Sequence, residues 1–328
     1  MPPEESRLQR KTQIYAESGV TMKAIQDTWL IQIEITNACI HQCLHCTRFV
    51  GHHVKPYYMD LAMFEKAVDS LEGYPGGVGV MGGEPTIHPK FKEICKILRK
   101  KMPLEKRFLW TSGYKWKEYR DIIRKTFSEN IYYNDHEDDT QKHQPLLIAM
   151  EDVLDDRIFM RSLIDKCWIQ EKWSPSINPK GGFFCEVAAA MDMLFDGPGG
   201  YPLEKGWWKR SVKDFEDQIN RYCFRCSAAL PLPSFNNQKG DELVSVSNYA
   251  KLQKSCSRKF RESKVRLVDT KYTKEQILEW SKNWKPWVYT GEEGRKTLYD
   301  LYGWWHGFWV TQGKKSRKRK KKQQQAKA

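Results

Sequence analysis

Residues 31–46 read IQIEITNACIHQCLHC. Ile31, Ile33 and Ile35 alternate with Gln32, Glu34 and Thr36, the period-two pattern of an extended chain with one buried face. The pattern then breaks into a loop that carries Cys39, Cys43 and Cys46 at C-x3-C-x2-C spacing. Three thiolates closing on one short loop suit three corners of a cubane iron–sulfur cluster, whereas four would occupy every iron. Three leave one iron free to bind something else.

Downstream, Val78-Gly79-Val80-Met81 reads as a short strand that runs into Gly82-Gly83-Glu84-Pro85. A C-x3-C-x2-C loop after a first strand, followed by a strand ending in Gly-Gly-Glu-Pro, resembles the radical S-adenosylmethionine (radical SAM) superfamily. The resemblance spans roughly residues 29–226. It implies an α/β fold, a partial (β/α)6 barrel, with a [4Fe-4S] cluster on Cys39, Cys43 and Cys46 and SAM chelating the fourth iron. One electron from the reduced cluster would then cleave SAM to a 5′-deoxyadenosyl radical, which abstracts a substrate hydrogen for oxidation or rearrangement. The resemblance also implies SAM contacts at Gly82, Gly83, Glu84 and Pro85 around the methionine end. It places His45 against adenine and Thr111 and Ser112 at a polar strand end. Glu84 would salt-bridge the SAM amine or hold the loop. An electron donor of the flavodoxin or ferredoxin type follows from the same chemistry.

Other readings of the two motifs compete. His41 and His45 would complete a zinc site, although zinc usually shows two paired ligand sets. A disulfide framework fits worse, because no signal-peptide pattern is seen and nine Cys are modest for 328 residues. Gly-Gly-Glu-Pro alone would be an ordinary turn.

The composition, 40% hydrophobic and 13% aromatic, argues for a folded body rather than disorder. No apolar run approaches the roughly 20 residues a membrane helix needs, so no membrane partner is expected. Nine Cys and no targeting segment point to a reducing cytoplasm with the Cys used as metal ligands. The net charge of +14 is concentrated in the tail, where Lys314, Lys315, Arg317, Lys318, Arg319, Lys320, Lys321, Lys322 and Lys327 lie. Removing these nine leaves +5 for the rest. A tail so charged and so poor in apolar residues reads as disordered and suited to phosphate-backbone contact, or as a solubilising or localising extension.

In chain order, 1–28 is a polar lead segment, and 29–165 reads as the radical SAM core. Asp60 is a candidate N-cap for a helix with Leu61, Phe64, Ala67, Val68 and Leu71 on one face, stopped by Gly73. Helices are expected over 91–101, 119–127 and near 146–164, and strands over 108–111 and 131–133. Alternating strands and helices imply a parallel sheet. The fifth and sixth strands are weak in sequence, and 135–144, with His136 and His143, reads as a long loop. Both motifs fall at strand carboxyl ends, where such barrels place their active sites.

From 166 to 228 the composition shifts towards Trp, Pro and Gly. Helices are expected over 187–194 and near 212–219. Cys167 and Cys185 precede Cys223-Phe224-Arg225-Cys226, and the four make a plausible four-thiolate site. The segment is similar to the SPASM and twitch auxiliary-cluster extensions of radical SAM enzymes, with Gly181 closer to the second Cys than those extensions usually have it. The resemblance implies a second [4Fe-4S] cluster; a structural zinc ribbon is the alternative. Residues 229–312 read as a mostly helical, Trp-rich region, with Trp280, Trp284, Trp287, Trp304, Trp305 and Trp309 as a packed edge. Cys95 reads as core and Cys256 as a free thiol, and 313–328 is the basic tail. The tail points to a modified base on nucleic acid as substrate. A ribosomally made peptide is disfavoured by the lack of a leader-binding segment, and a small amino sugar or amino acid is a third option. The non-enzymatic alternative is a zinc-containing nucleic-acid-binding protein.

Overall fold

The structure, a computed structural model, describes residues 22–134, 141–172 and 175–284. The basic tail, His136, Trp287, Trp304, Trp305 and Trp309 lie outside these residues.

Strand β1 (Leu30–Thr36) is buried along its whole length, because it is the centre of the sheet rather than a half-exposed edge. It pairs in parallel with β2 (Gly77–Gly82), and β2 with β3 (Arg107–Thr111), which pairs with β4 (Ile131–Tyr133). Helices α1 (Leu61–Ser70), α2 (Phe91–Lys101) and α3 (Trp116–Phe127) make the crossovers. Asp60 caps α1 by accepting the Met63 N–H at 2.7 Å, and Gly73, at φ +79°, turns the chain after it. The isoleucines of β1 enter the main core together with Phe64, Ile94, Leu98, Ile123 and the fully buried Cys95. On the other face, Phe108, Trp110 and Tyr132 form an aromatic layer, with Trp110 and Tyr132 stacked at 4.5 Å.

The sheet does not continue as the sequence suggests. Its order is β4-β3-β2-β1-β6-β7, so the free edge of β1 is taken by β6 (Ser176–Asn178), parallel, and then by the antiparallel β7 (Gly181–Phe183). Two segments expected to be helical are partly extended. In 146–164, the helices are only α4 (Met150–Val153) and α5 (Arg157–Ile164). Leu147 instead bridges Val244 in parallel, and Leu146, Leu147, Ile148 and Ala149 are all at most 2% exposed. Such a run, buried on every side, shows no periodicity that separates strand from helix.

Beyond β5 (Lys142–His143), the 166–228 region holds α6 (Trp168–Lys172), α7 (Glu186–Leu194) and α8 (Glu216–Tyr222). A 3-10 turn (Val212–Phe215) precedes α8. The C-terminal region is mixed rather than mostly helical. After β8 (Phe235–Asn236), strands β9 (Glu242–Ser245) and β10 (Val265–Val268) pair in parallel. Helices α9 (Val246–Lys254) and α10 (Arg258–Arg261) lie between them, and α11 (Lys274–Asn283) follows. Trp284 donates its indole N–H to the Leu232 carbonyl at 2.8 Å, and Trp280 meets Tyr272 edge-on at 5.2 Å. No helix among the described residues is long and apolar enough to cross a membrane.

Candidate active site

The two motifs of the first half lock together through their backbones. The Gly83 N–H donates to the Thr36 carbonyl at 2.8 Å, and the Glu84 N–H to the Ala38 carbonyl at 2.7 Å. A Cβ on Gly82 would stand 2.0 Å from the Thr36 oxygen, and one on Gly83 would stand 2.1 Å from the Ala38 oxygen. Gly82 also has φ +143°, a conformation L side chains rarely adopt. The bare glycines let the end of β2 come against the entry to the cysteine loop.

Glu84 is a buried hub. Its Oε1 accepts from the Thr86 N–H (3.1 Å), the Thr86 hydroxyl (2.6 Å) and the Thr111 hydroxyl (2.8 Å). Its Oε2 accepts from the Ser112 N–H (2.6 Å) and hydroxyl (2.7 Å). Five donors use up the roughly four lone-pair sites of a carboxylate. These bonds tie the Gly-Gly-Glu-Pro turn to the end of β3. Pro85 starts the buried turn Pro85–Ile87.

These pieces surround a cavity of about 570 Å³ lined by Cys39, Cys43 and Cys46 together with Gly82, Gly83, Glu84, Thr111 and Ser112. His41, Arg48, Trp110, Asn134 and His143 also line it. Of these five, the sequence offers His41 only as a zinc ligand and His143 only as a loop residue. Nothing in their local sequence marks Arg48, Trp110 or Asn134, apart from the nearness of Arg48 to Cys46. His45, expected against adenine, is not in the lining. Its ring turns to Glu242, with Nδ1 at 3.3 Å from the carboxylate, and to Phe235 at 5.9 Å between centroids. The backbone decides this, because His45 has φ +55° and its N–H is held by Glu242.

A second cavity, of about 410 Å³, collects Cys167, Cys185, Cys223 and Cys226 from segments far apart in sequence. Cys167 follows α5, Cys185 sits at the start of α7, and Cys223 and Cys226 bracket the turn after α8. Ile164, Ile169, Phe184, Val187 and Met191 make the lining apolar. The Ala228 N–H points at the Cys226 sulfur at 3.3 Å. Gln170 Nε2 donates to the Phe184 carbonyl at 3.0 Å and ties the first two segments.

All nine cysteines are free thiols. Burial pushes Cys39 up to about 12, Cys167 up to about 11 and Cys185 up to about 12. Cys43, Cys223 and Cys226 are raised further by burial and by neighbouring thiols. A bound cation would lower thiols raised in this way, which is how a metal centre takes cysteine ligands. Among the described residues, no three His, Cys, Asp or Glu side chains stand close enough to hold a single metal ion. Each cysteine set lines a cavity of its own, Cys39, Cys43 and Cys46 the first and Cys167, Cys185, Cys223 and Cys226 the second.

A buried polar network joins the two sites. Arg48, two residues after Cys46, meets Glu34 (3.2 Å) and Glu186 (2.9 Å), the residue after Cys185. It also donates to Gln32, which in turn donates to Glu186 at 2.7 Å. Ser176 on β6 donates to Glu34 at 2.6 Å. Burial raises the Glu34 carboxyl above its ordinary range, with Arg48 offsetting part of the rise.

Residues 33–132 match the family model described as the Radical SAM superfamily. This segment, from within β1 to within β4, contains both the cysteine loop and the Gly-Gly-Glu-Pro turn. No curated protein matches the chain. Among solved structures, BtrN in complex with AdoMet and 2-DOIA is similar at 13% identity and a TM-score of 0.37, covering 60% of this chain and 92% of that one. A selenomethionine BtrN in an open conformation has 13% identity and a TM-score of 0.38, covering 61% and 88%.

Proposed function

We propose that this protein is a radical SAM enzyme with an auxiliary iron–sulfur site. The observation that carries the reading is the cavity in which three cysteines of one loop face a Gly-Gly-Glu turn bonded to that loop's own backbone. When bound there, a [4Fe-4S] cluster with SAM on its open iron supplies a 5′-deoxyadenosyl radical able to remove a substrate hydrogen. Cys39, Cys43 and Cys46 would anchor the cluster. Gly82, Gly83, Thr111 and Ser112 wall the adjoining space, and Glu84 keeps those walls in register. His41, His143 and Trp110 line the same cavity.

Cys167, Cys185, Cys223 and Cys226 would hold the second cluster. Four thiols leave no open iron, and an apolar lining excludes substrate polar groups, so the site suits electron transfer rather than substrate binding. An external one-electron donor of flavodoxin or ferredoxin type would complete the circuit. The nine positive charges of the tail support a nucleic-acid partner and a base as substrate. Deleting 314–328 should weaken binding to RNA or DNA and flatten its salt dependence while leaving uncoupled SAM cleavage intact; full-length protein that binds neither at low salt would remove nucleic acid from consideration.

The test of the central reading is direct. Protein reconstituted anaerobically with iron and sulfide, then reduced, should convert SAM to 5′-deoxyadenosine. Reconstituted protein that carries iron yet yields none would refute it.

A further inference from the structure

The segment after the auxiliary cysteines returns to the first cysteine loop and holds it from behind. Lys259 on α10 is buried, and its Nζ donates to the Cys43 carbonyl at 2.8 Å and to Glu242 Oε2 at 2.5 Å. Glu242, at the start of β9 and equally buried, accepts the His45 N–H on both oxygens at 3.0 Å. The Asn237 carbonyl takes the Leu44 N–H at 2.7 Å. His52 stands 3.7 Å from Glu242 and pairs with Ser257 at 3.2 Å on its other ring nitrogen. The Lys259 stem reaches this position because residue 51 is glycine: a Cβ there would stand 2.3 Å from Lys259 Cε.

Two features make this more than packing. His45, directly before Cys46, has φ +55°, a conformation a non-glycine residue keeps only when its surroundings over-determine it. Glu242 supplies that constraint through the His45 N–H. The ion pair is also oriented, its cation on the Cys43 carbonyl and its anion under the His45 amide, in a buried setting where charges are weakly screened.

We propose that Glu242 and Lys259 are positioning residues of the first cysteine site, holding the 43–46 turn and setting, by their opposed charges, how readily a cluster bound there takes up an electron. The proposal rests on the reading that Cys39, Cys43 and Cys46 hold the cluster. Reduction adds negative charge, so a nearby cation favours it and a nearby anion opposes it.

The test is an EPR-monitored redox titration of full-length reconstituted protein, following the signal that changes when SAM is added, with iron content measured in parallel. Lys259→Met should move the potential to more negative values and Glu242→Gln to more positive ones. Opposite shifts at full iron content are a signature that a purely structural role does not produce. Two variants with the wild-type potential, or with shifts in the same direction, would overturn the proposal. Should either single variant lose iron or fail to fold, the double variant E242Q/K259M leaves no buried charge unpaired. Its amide hydrogen exchange at His45 and Cys46 should be faster than in wild type, and equal exchange would equally overturn the idea. Wild-type protein that gives no cluster signal at all would instead refute the cluster reading, and the exchange comparison would still decide the role of the pair.

Discussion

The two cysteine sites are built in opposite ways. The first draws its three thiols from one loop of eight residues, 39–46, and borrows its rigidity from elsewhere: from Gly83 and Glu84 on one side and from Asn237, Glu242 and Lys259 on the other. The second draws four thiols from three segments and is held by its own helices and an apolar lining. A short loop cannot bury its own backbone amides, so distant groups must satisfy them. Segments already packed in a core need only converge. Polar side chains such as Arg48, Ser112 and Asn134 stand beside the three thiols of the first cavity, whereas apolar ones surround the four thiols of the second.

The largest test of this contrast removes one ligand from each side. Cys43→Ala should bring SAM cleavage to background while leaving roughly four irons bound at the second site. Cys223→Ala should do the reverse to the iron count and retain uncoupled cleavage. Iron and sulfide analysis beside a 5′-deoxyadenosine assay reads both, and one variant emptying both sites would end the distinction.

Gly82→Ala attacks the joint between the motifs. A side chain at φ +143° and 2.0 Å from the Thr36 oxygen should cost about 3–5 kcal/mol in combined strain and overpacking. Denaturant unfolding measures it, and a loss below about 1 kcal/mol would mean the strand ends are not locked as described. Thr111→Val removes one donor from Glu84 and the acceptor of the Gly113 N–H, at a cost of about 1–3 kcal/mol. Weaker SAM binding should accompany that loss, as seen by calorimetry, because the Ser112 wall then loosens.

The smallest expected effect concerns the link between the sites. Burial raises the Glu34 carboxyl, so the folded state binds a proton that the unfolded state has already released. Stability from this group is therefore fully present below the ordinary carboxylate range and is lost as pH rises through the raised value. Glu34→Gln mimics the protonated form, so its melting temperature relative to wild type should climb with pH from about 4.5 upward. A difference that stays flat with pH would show that Arg48 keeps Glu34 ionised throughout.

Some of this architecture was legible in short windows of sequence. The alternation of 31–36 announces a strand, and the helix expected over 91–101 stands at Phe91–Lys101. Asp60 reads as a cap because its carboxylate needs only an amide three residues on. The extended run at 146–149 and strands β9 and β10 were not legible. The run at 146–149 meets its partner nearly a hundred residues away, as Leu147 does at Val244, and an all-apolar run has no period to read.

By itself the sequence determined the elements whose causes are local: the first strand, the C-x3-C-x2-C loop, the Gly-Gly-Glu-Pro turn and the helices with one apolar face. Tertiary structure alone decided what those elements face. It closed the edge of β1 with a strand from the 166–228 region, turned His45 towards Glu242, and brought Arg48 between Glu34 and Glu186. The reason is that a buried charge or amide must find its partner wherever the chain happens to pass, and that partner leaves no mark in the neighbouring sequence.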